Sequence, residues 1–160
     1  KHLAGLTELA RLELRESSID DACLEIISNL PKLTYLDISE CKRIKGTTIG
    51  ELGKLTGLTY LELMEIKKVN DDNFAALGTL TNLTELNLES TRITDASTPT
   101  LLKLKKLKRL SVAGSQMGDE GIIQLSQLPE LEWLNLNNSR PLPETVEALK
   151  AAKPGLKIVE

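Results

Sequence analysis

Three carboxylates in the first half of the chain, Glu13, Asp37 and Glu62, follow one another at spacings of 24 and 25 residues. Two residues before each stands a cation or a tyrosine: Arg11, Tyr35 and Tyr60. Carboxylates brought side by side exchange protons when their environments differ, share a cation, or simply repel. Tyrosines beside them supply flat contact area at low entropic cost. The remaining ingredients of catalysis are missing. The single histidine, His2, stands at the extreme terminus, so no serine or cysteine has an imidazole partner near it in sequence. No glycine-rich phosphate loop follows a strand pattern. Cys23 and Cys41 lack metal-ligand spacing and are too few for a disulfide framework, so they read as small buried hydrophobes. The expectation is a non-enzyme, with no catalytic residue, cofactor or metal site.

Composition narrows the field further. At 160 residues the chain can bury a real core, and 41% apolar with 27% charged residues is ordinary for a globular protein. Aromatics make up only 2%, so leucine and isoleucine must fill the interior. A net charge of -3 argues against a surface built to grip phosphate backbones. The run LLKLKKLKRL (residues 101–110) has its leucines in core positions, and Lys103, Lys105 and Lys106 are expected at a helix end, where cations suit the dipole. Nucleic acid is therefore not the expected partner. No apolar run approaches the roughly 20 residues of a membrane helix, so no insertion is expected.

What positions the carboxylates is a repeat. Frames of 24 or 25 residues begin at Leu9, Leu33, Leu58, Leu83, Leu107 and Leu131, each with seven apolar columns. The second frame shows them: Leu33, Leu36, Ile38, Ile44, Ile49, Leu52 and Leu55. Across the six frames only Thr98 and Pro141 break a column. A partial frame with Leu156 and Ile158 closes the chain, and Leu3 and Leu6 fit the last two columns of a frame whose start is missing. Each frame opens with period-two alternation, a short strand buried on one face, and continues with spacings of three, a helical face. Asp21, Asp71, Asp95 and Asp119 sit between the two, where each is expected to cap its own frame's helix; Gly46 holds that place in the second frame, with Thr47 or Thr48 as cap. In the sixth frame Pro143 and Glu144 suit a first helical turn. No frame can bury its apolar face alone, so stacked frames must form a solenoid with one parallel sheet and an outer helical layer.

The segment LTELNLESTRITD (residues 83–95) resembles the leucine-rich repeat, and the resemblance extends over the whole chain. Frame length and helix content are similar to its cysteine-containing and bacterial variants, whose Cys or Thr position is held here by Ser17, Cys41, Ile66, Thr91, Ser115 and Ser139. The resemblance implies an α/β fold, a right-handed horseshoe with strands on the concave side and helices on the convex side. It also implies a usual role in binding another protein.

If the second and third leucines of each frame point inward, their flanking residues form columns on the concave face. The first column is Arg11, Tyr35, Tyr60, Glu85, Arg109 and Trp133, and it collects every aromatic residue except Phe74, which occupies a core column. The second begins Glu13, Asp37, Glu62; the third is Arg15, Ser39, Met64, Glu89, Ala113 and Asn137. The aromatic column reads as a contact surface, as cross-strand packing, or as both. The acidic column, with Glu85 and Glu89 beside it, reads either as a complement to a basic partner or as a solvated mixed-charge surface, with Arg11, Arg15, Lys42, Arg43, Lys67 and Lys68 offsetting its repulsion. Toward the C-terminal end these columns turn neutral, with Asn87, Ser111, Asn135, Ala113 and Asn137. Tyr35, Tyr60, Trp133, Arg11, Glu85, Arg109, Glu13, Asp37, Glu62, Met64 and Glu89 are the candidate partner-binding residues.

The expected organisation is one repeat domain over residues 1–160, a fragment of a longer chain, with an uncapped first strand as a possible self-association edge. The expected function is a protein- or peptide-binding module that uses its concave face; the alternative is a spacer segment of a larger protein. One local defect stands out. Pro99 follows Thr98 in the fourth frame, so its helix is expected to start late, with Ser97 or Thr98 as cap and Pro99 at the first position.

Overall fold

Alternation of apolar and polar residues produces strands of three residues each in the structure, a computed structural model that describes residues 3–160 and leaves His2 outside the described residues. They are β1 (Arg11–Glu13), β2 (Tyr35–Asp37), β3 (Tyr60–Glu62), β4 (Glu85–Asn87), β5 (Arg109–Ser111), β6 (Trp133–Asn135) and β7 (Lys157–Val159). All pair in parallel, in chain order, in one open seven-stranded sheet. The register joins equivalent positions of successive frames: Arg11 opposite Tyr35, Tyr35 opposite Tyr60, Tyr60 opposite Glu85, Glu85 opposite Arg109, and Arg109 opposite Trp133. The strand from LKIVE extends the sheet by pairing Leu134 with Ile158. The chain is thus a solenoid, a horseshoe with the sheet lining its concave side and helical segments on the convex side, as the resemblance implies.

Two further columns run along the sheet. The hydroxyls of Thr34, Thr59 and Thr84 donate to the carbonyls of Ala10, Thr34 and Thr59, so the Thr of each L-T-Y-L or L-T-E-L line ties its coil to the one before. After β1 to β6 in turn, Glu16, Glu40, Glu65, Ser90, Gly114 and Asn138 take left-handed backbone angles, φ 55° to 61°. That turn points each N–H of Glu16 through Gly114 at a carbonyl of the next coil: Ser39, Met64, Glu89, Ala113 and Asn137. Only at Gly114 does the residue type suit the angle without steric cost.

Inside, one continuous cluster, mostly leucine, isoleucine and valine with Cys41 and Met117, runs from Leu12 to Leu156, with Phe74 fully buried within it. Leu9, Leu14 and Ile19 of the first coil are only partly covered, having a neighbour on one side. Of Leu3 and Leu6 only Leu3 packs against this cluster; Leu6 is 45% exposed.

The convex layer is less helical than its spacing of three suggests. The α-helices are α1 (Asp21–Ile27), α2 (Asp71–Phe74), α3 (Thr98–Leu101), α4 (Asp119–Gln124) and α5 (Pro143–Ala152). Stretches of 3₁₀ helix at Ile49–Lys54, Ala75–Thr79, Asp95–Ser97 and Leu125–Gln127 replace or extend them. The 3₁₀ form rises more per residue than the α form, so it crosses the same width of coil with fewer residues while keeping a spacing of three. Lys103, Lys105 and Lys106 accordingly lie in the turn after α3 rather than within a helix.

The aspartates also behave differently from the expected caps. Asp20, Asn70 and Thr94 cap their own helical segments, and Gly118 stands at the start of α4. Asp21, Asp71, Asp95 and Asp119 occupy the first helical position and reach into the next coil. Asp21 accepts from the Lys45 and Thr48 N–H groups and the Thr47 hydroxyl, at 2.6–3.2 Å. Asp71 accepts from Thr94 N–H at 2.9 Å and from the Thr94 and Ser97 hydroxyls. Asp95 accepts from Gly118 N–H at 2.7 Å, and Asp119 from Leu142 N–H at 2.8 Å and the Thr145 hydroxyl. Each aspartate satisfies donors at the start of the following coil's helical segment. Gly46 interrupts this ladder: its φ is 92°, and a Cβ there would stand 2.9 Å from Lys68 Cβ. The third coil compensates with a reciprocal Asn70–Asn73 capping box, and Asn73 Nδ2 donates back to the Gly46 carbonyl.

At the fourth coil a 3₁₀ turn over Asp95–Ser97 precedes α3, which opens at Thr98 with Ser97 as its N-terminal flank and Pro99 in the first turn. The α-helix starts late as expected, but helical geometry begins at Asp95, ahead of both expected caps. Ser97 caps nothing with its side chain; its hydroxyl is committed to Asp71. In the sixth coil Pro143 begins α5, as its type requires.

Candidate binding face

The strands are so short that each presents little more than one side chain of the first column and one of the second, and parallel register lines these up from coil to coil. In the first column the result is a stack. The rings of Tyr35 and Tyr60 lie 4.0 Å apart, 7° from parallel, and the Arg11 guanidinium sits 3.4 Å above the outer face of the pair. A cation on one face of a tyrosine stack favours it electrostatically. Farther along, Arg109 pairs with Glu85 (Nε–Oε2 3.4 Å) and lies 4.3 Å over the Trp133 ring. The three aromatics are half-buried rather than exposed, because each has a neighbour on the adjacent strand. Cross-strand packing is therefore one role of this column.

The second column changes character along the sheet. Glu13 is exposed and paired with Arg11. Asp37 turns back on its own strand end, accepting from Ser39 N–H at 2.9 Å and the Ser39 hydroxyl at 2.6 Å. Asn87 and Asn135 do the same with the N–H groups of Glu89 and Asn137. Asn135 also donates to the Ser111 hydroxyl at 3.1 Å. Of the cations expected to offset the column, Arg11 alone pairs with a member of it; Arg15 pairs with Glu40 at 2.6 Å.

Glu62 is the exception. It is 9% exposed, its Oε2 accepts from the Tyr60 hydroxyl at 3.0 Å, and its buried Oε1 has no hydrogen-bond partner. Burial pushes its carboxyl up to about 7; the Tyr60 hydroxyl and the nearby Met64 N–H pull the other way, and the charges of Asp37 and Glu89 add to the rise. Burial also pushes the Tyr60 hydroxyl up, helped by its Tyr35 and Glu62 neighbours.

Glu62 borders a depression of about 280 Å³ on the concave face, which reaches from Tyr60 to Trp133 and takes in Glu85, Glu89 and Arg109. The structure thus brings together Tyr60, Glu62, Glu85, Glu89, Arg109 and Trp133. Tyr35, Arg11, Glu13, Asp37 and Met64 lie outside the depression, toward the β1 end or beside it. Asn87, Ser111 and Asn135 line it as well, though their neutral side chains gave no reason to single them out in the sequence. Their column membership was the available signal.

Fold and face together define a parallel-sheet solenoid that displays a patterned concave surface. A family model described as Leucine Rich repeat matches residues 79–97 and 103–126. The chain is similar to the crystal structure of internalin C2 from Listeria monocytogenes str. 4b F2365, with 25% identity and a TM-score of 0.70 over 98% of this chain. It spans 63% of that protein's length. No curated protein matches it in sequence. In its repeats and in its fold alike, the chain is similar to leucine-rich repeat proteins. The family consists typically of non-enzymatic protein-interaction modules. No described helix is long and apolar enough to cross a membrane.

Proposed function

We propose that this chain binds a protein or peptide on its concave face, through the part of the sheet between Tyr60 and Trp133, and that it performs no chemistry on what it binds. The observation that carries this reading is the depression itself: two aromatic side chains at its ends, with carboxylates and one arginine between them. Tyr, Trp and Arg in a shaped, partly desolvated surface are the residue types that dominate binding energy. Glu62, Glu85 and Glu89 against Arg109 favour a basic partner over nucleic acid. Tyr35 and Arg11 support the face from behind, by holding Tyr60 in place.

Selection of a random displayed-peptide library on the immobilised protein tests the reading. Binders are expected to lose at least tenfold in affinity for Trp133→Ala or Tyr60→Ala variants whose circular dichroism is unchanged. Binders that are indifferent to both substitutions would place the binding surface elsewhere.

A further inference from the structure

A carboxylate oxygen that is buried and unpartnered is costly, since desolvation takes its water away and nothing replaces it. Glu62 Oε1 is such an atom, and it is an anomaly of its column. Asp37, Asn87 and Asn135 spend their side-chain oxygens on the N–H two residues ahead. Glu62 is one methylene longer than Asp37; its Oε2 goes to Tyr60, the Met64 N–H two residues ahead approaches the carboxylate without completing a hydrogen bond, and Oε1 is left buried and unpartnered at the border of the depression. The surroundings are anionic: Asp37 on β2, Glu85 at the start of β4 and Glu89 two residues past its end approach the same region. Arg109 on β5, the cation nearest to hand, is held by Glu85 and by the Trp133 ring. One face of Tyr60 is covered by Tyr35, which leaves the other toward the depression.

We infer that the depression beside Glu62 is a pocket for the cationic end of one lysine or arginine side chain of the bound partner, with the Glu62 carboxylate as its counter-ion and Tyr60 as its flat wall. The inference rests on the concave-face reading and names the chemistry that this face selects. An incoming ammonium or guanidinium supplies the donor that Oε1 lacks. It also offsets the repulsion among Asp37, Glu62, Glu85 and Glu89, and meets an aromatic face suited to a cation. Because burial raises the Glu62 carboxyl, the free pocket holds a proton near neutrality, and the cation displaces it on binding.

The probes are the tripeptides acetyl-Gly-Lys-Gly-amide and acetyl-Gly-Arg-Gly-amide, with the Nε-acetyl-lysine peptide as neutral control, followed by amide NMR shifts at pH 8. Either cationic peptide, or both, should shift residues of β3 and β4 saturably, while the acetylated peptide leaves them unmoved; the stronger arm identifies the side chain. Glu62→Gln, with its spectrum otherwise native, should weaken the effect at least fivefold. Lowering the pH to 5.5 should weaken the unsubstituted protein about tenfold and the variant far less, which separates Glu62 from Asp37, Glu85, Glu89 and Arg109. Equal shifts from charged and acetylated peptides, or undiminished binding by Glu62→Gln, overturn the pocket. Library binders that depend on Trp133 but contain no Lys or Arg overturn it too, and leave the binding face standing.

Discussion

Two sets of ladders run the length of this molecule with the same period and the opposite habit. Along the edge where each coil turns into its helical segment, Asp21, Asp71, Asp95 and Asp119 make the same connection every time, to donors at the start of the next coil. On the concave face the same register sets unlike neighbours together: Arg11 on Tyr35, Tyr35 on Tyr60, Glu85 beside Arg109, Arg109 on Trp133. The first ladder joins coil to coil through hydrogen bonds to backbone and to hydroxyls, and where Gly46 breaks it the Asn70–Asn73 pair takes over its role. The second uses stacking and exposed ion pairs that are individually weak. The face therefore tolerates a different side chain in each coil, and that freedom lets it acquire a specific surface.

The sharpest way to break the contrast is to remove one rung of the first ladder. Asp71 satisfies three groups, among them the buried Ser97 hydroxyl. Asp71→Ala leaves them unpaired and should cost about 2–4 kcal/mol in urea unfolding. Asp95, whose one inter-coil partner is the Gly118 N–H, should cost about 1 kcal/mol on the same substitution. Equal losses at the two sites would mean that the bonds of the ladder do not set its strength.

The two ladders should also separate by pH, with opposite signs. Burial tends to raise Asp71 and Asp21, but the hydrogen bonds they accept outweigh it; Asp119 is lowered first by the Thr145 hydroxyl. All three sit below their ordinary 3.8, so their stabilisation is present above that pH and lost as pH falls through the lowered values. Glu62 sits at about 7 against an ordinary 4.5. Its folded form keeps a proton that the unfolded chain releases, so its contribution is full below pH 4.5 and lost as pH rises through 7. Unfolding free energy should fall by about 1–2 kcal/mol between pH 5 and pH 8, after allowance for water at the site. Glu62→Gln should flatten that slope and leave the acid limb untouched. A slope that survives in the variant would assign it to another group.

The repeat was legible because its signal is redundant. Every frame states the same apolar columns, and strand register follows once frames stack, so Arg11, Tyr35, Tyr60, Glu85, Arg109 and Trp133 could be aligned on sequence alone. The aspartate column was legible as a helix-start signal, yet its partner was not. A carboxylate at the first turn can satisfy donors of its own coil or of the next, and only three-dimensional stacking decides between them. Gly46 pointed to a break in that column without showing that Asn73 repairs it. How far Tyr35, Tyr60 and Trp133 are covered on the concave face was not legible for a related reason. Alternation says which face a side chain leaves from, and says nothing of how far its neighbour on the adjacent strand covers it. Glu62 looked like Glu13 in the sequence; the Tyr60 hydroxyl and the surrounding coils make it different.

The smallest effect tests whether the coil-to-coil turn belongs with the uniform ladder or the tolerant face. Its geometry is uniform, with φ near 55° to 61° in six coils, yet its residues vary from Glu to Ser, Gly and Asn. A non-glycine residue in the left-handed region costs roughly 1–2 kcal/mol, less for Asn, whose short polar side chain supports that conformation locally. Glu65 makes no ion pair, unlike Glu16 and Glu40, which approach Arg15, so it reports backbone strain alone. Glu65→Asn should stabilise the protein by about 0.5 kcal/mol, and Glu65→Val should destabilise it by at least about 1 kcal/mol, since branching at Cβ is least compatible with positive φ. Both are read from urea midpoints at constant slope. If both substitutions leave the midpoint unmoved, the turn carries no strain and belongs with the tolerant face. The expected pair of opposite shifts places it with the aspartates, as a position where every coil must do the same thing and where Glu is merely endured.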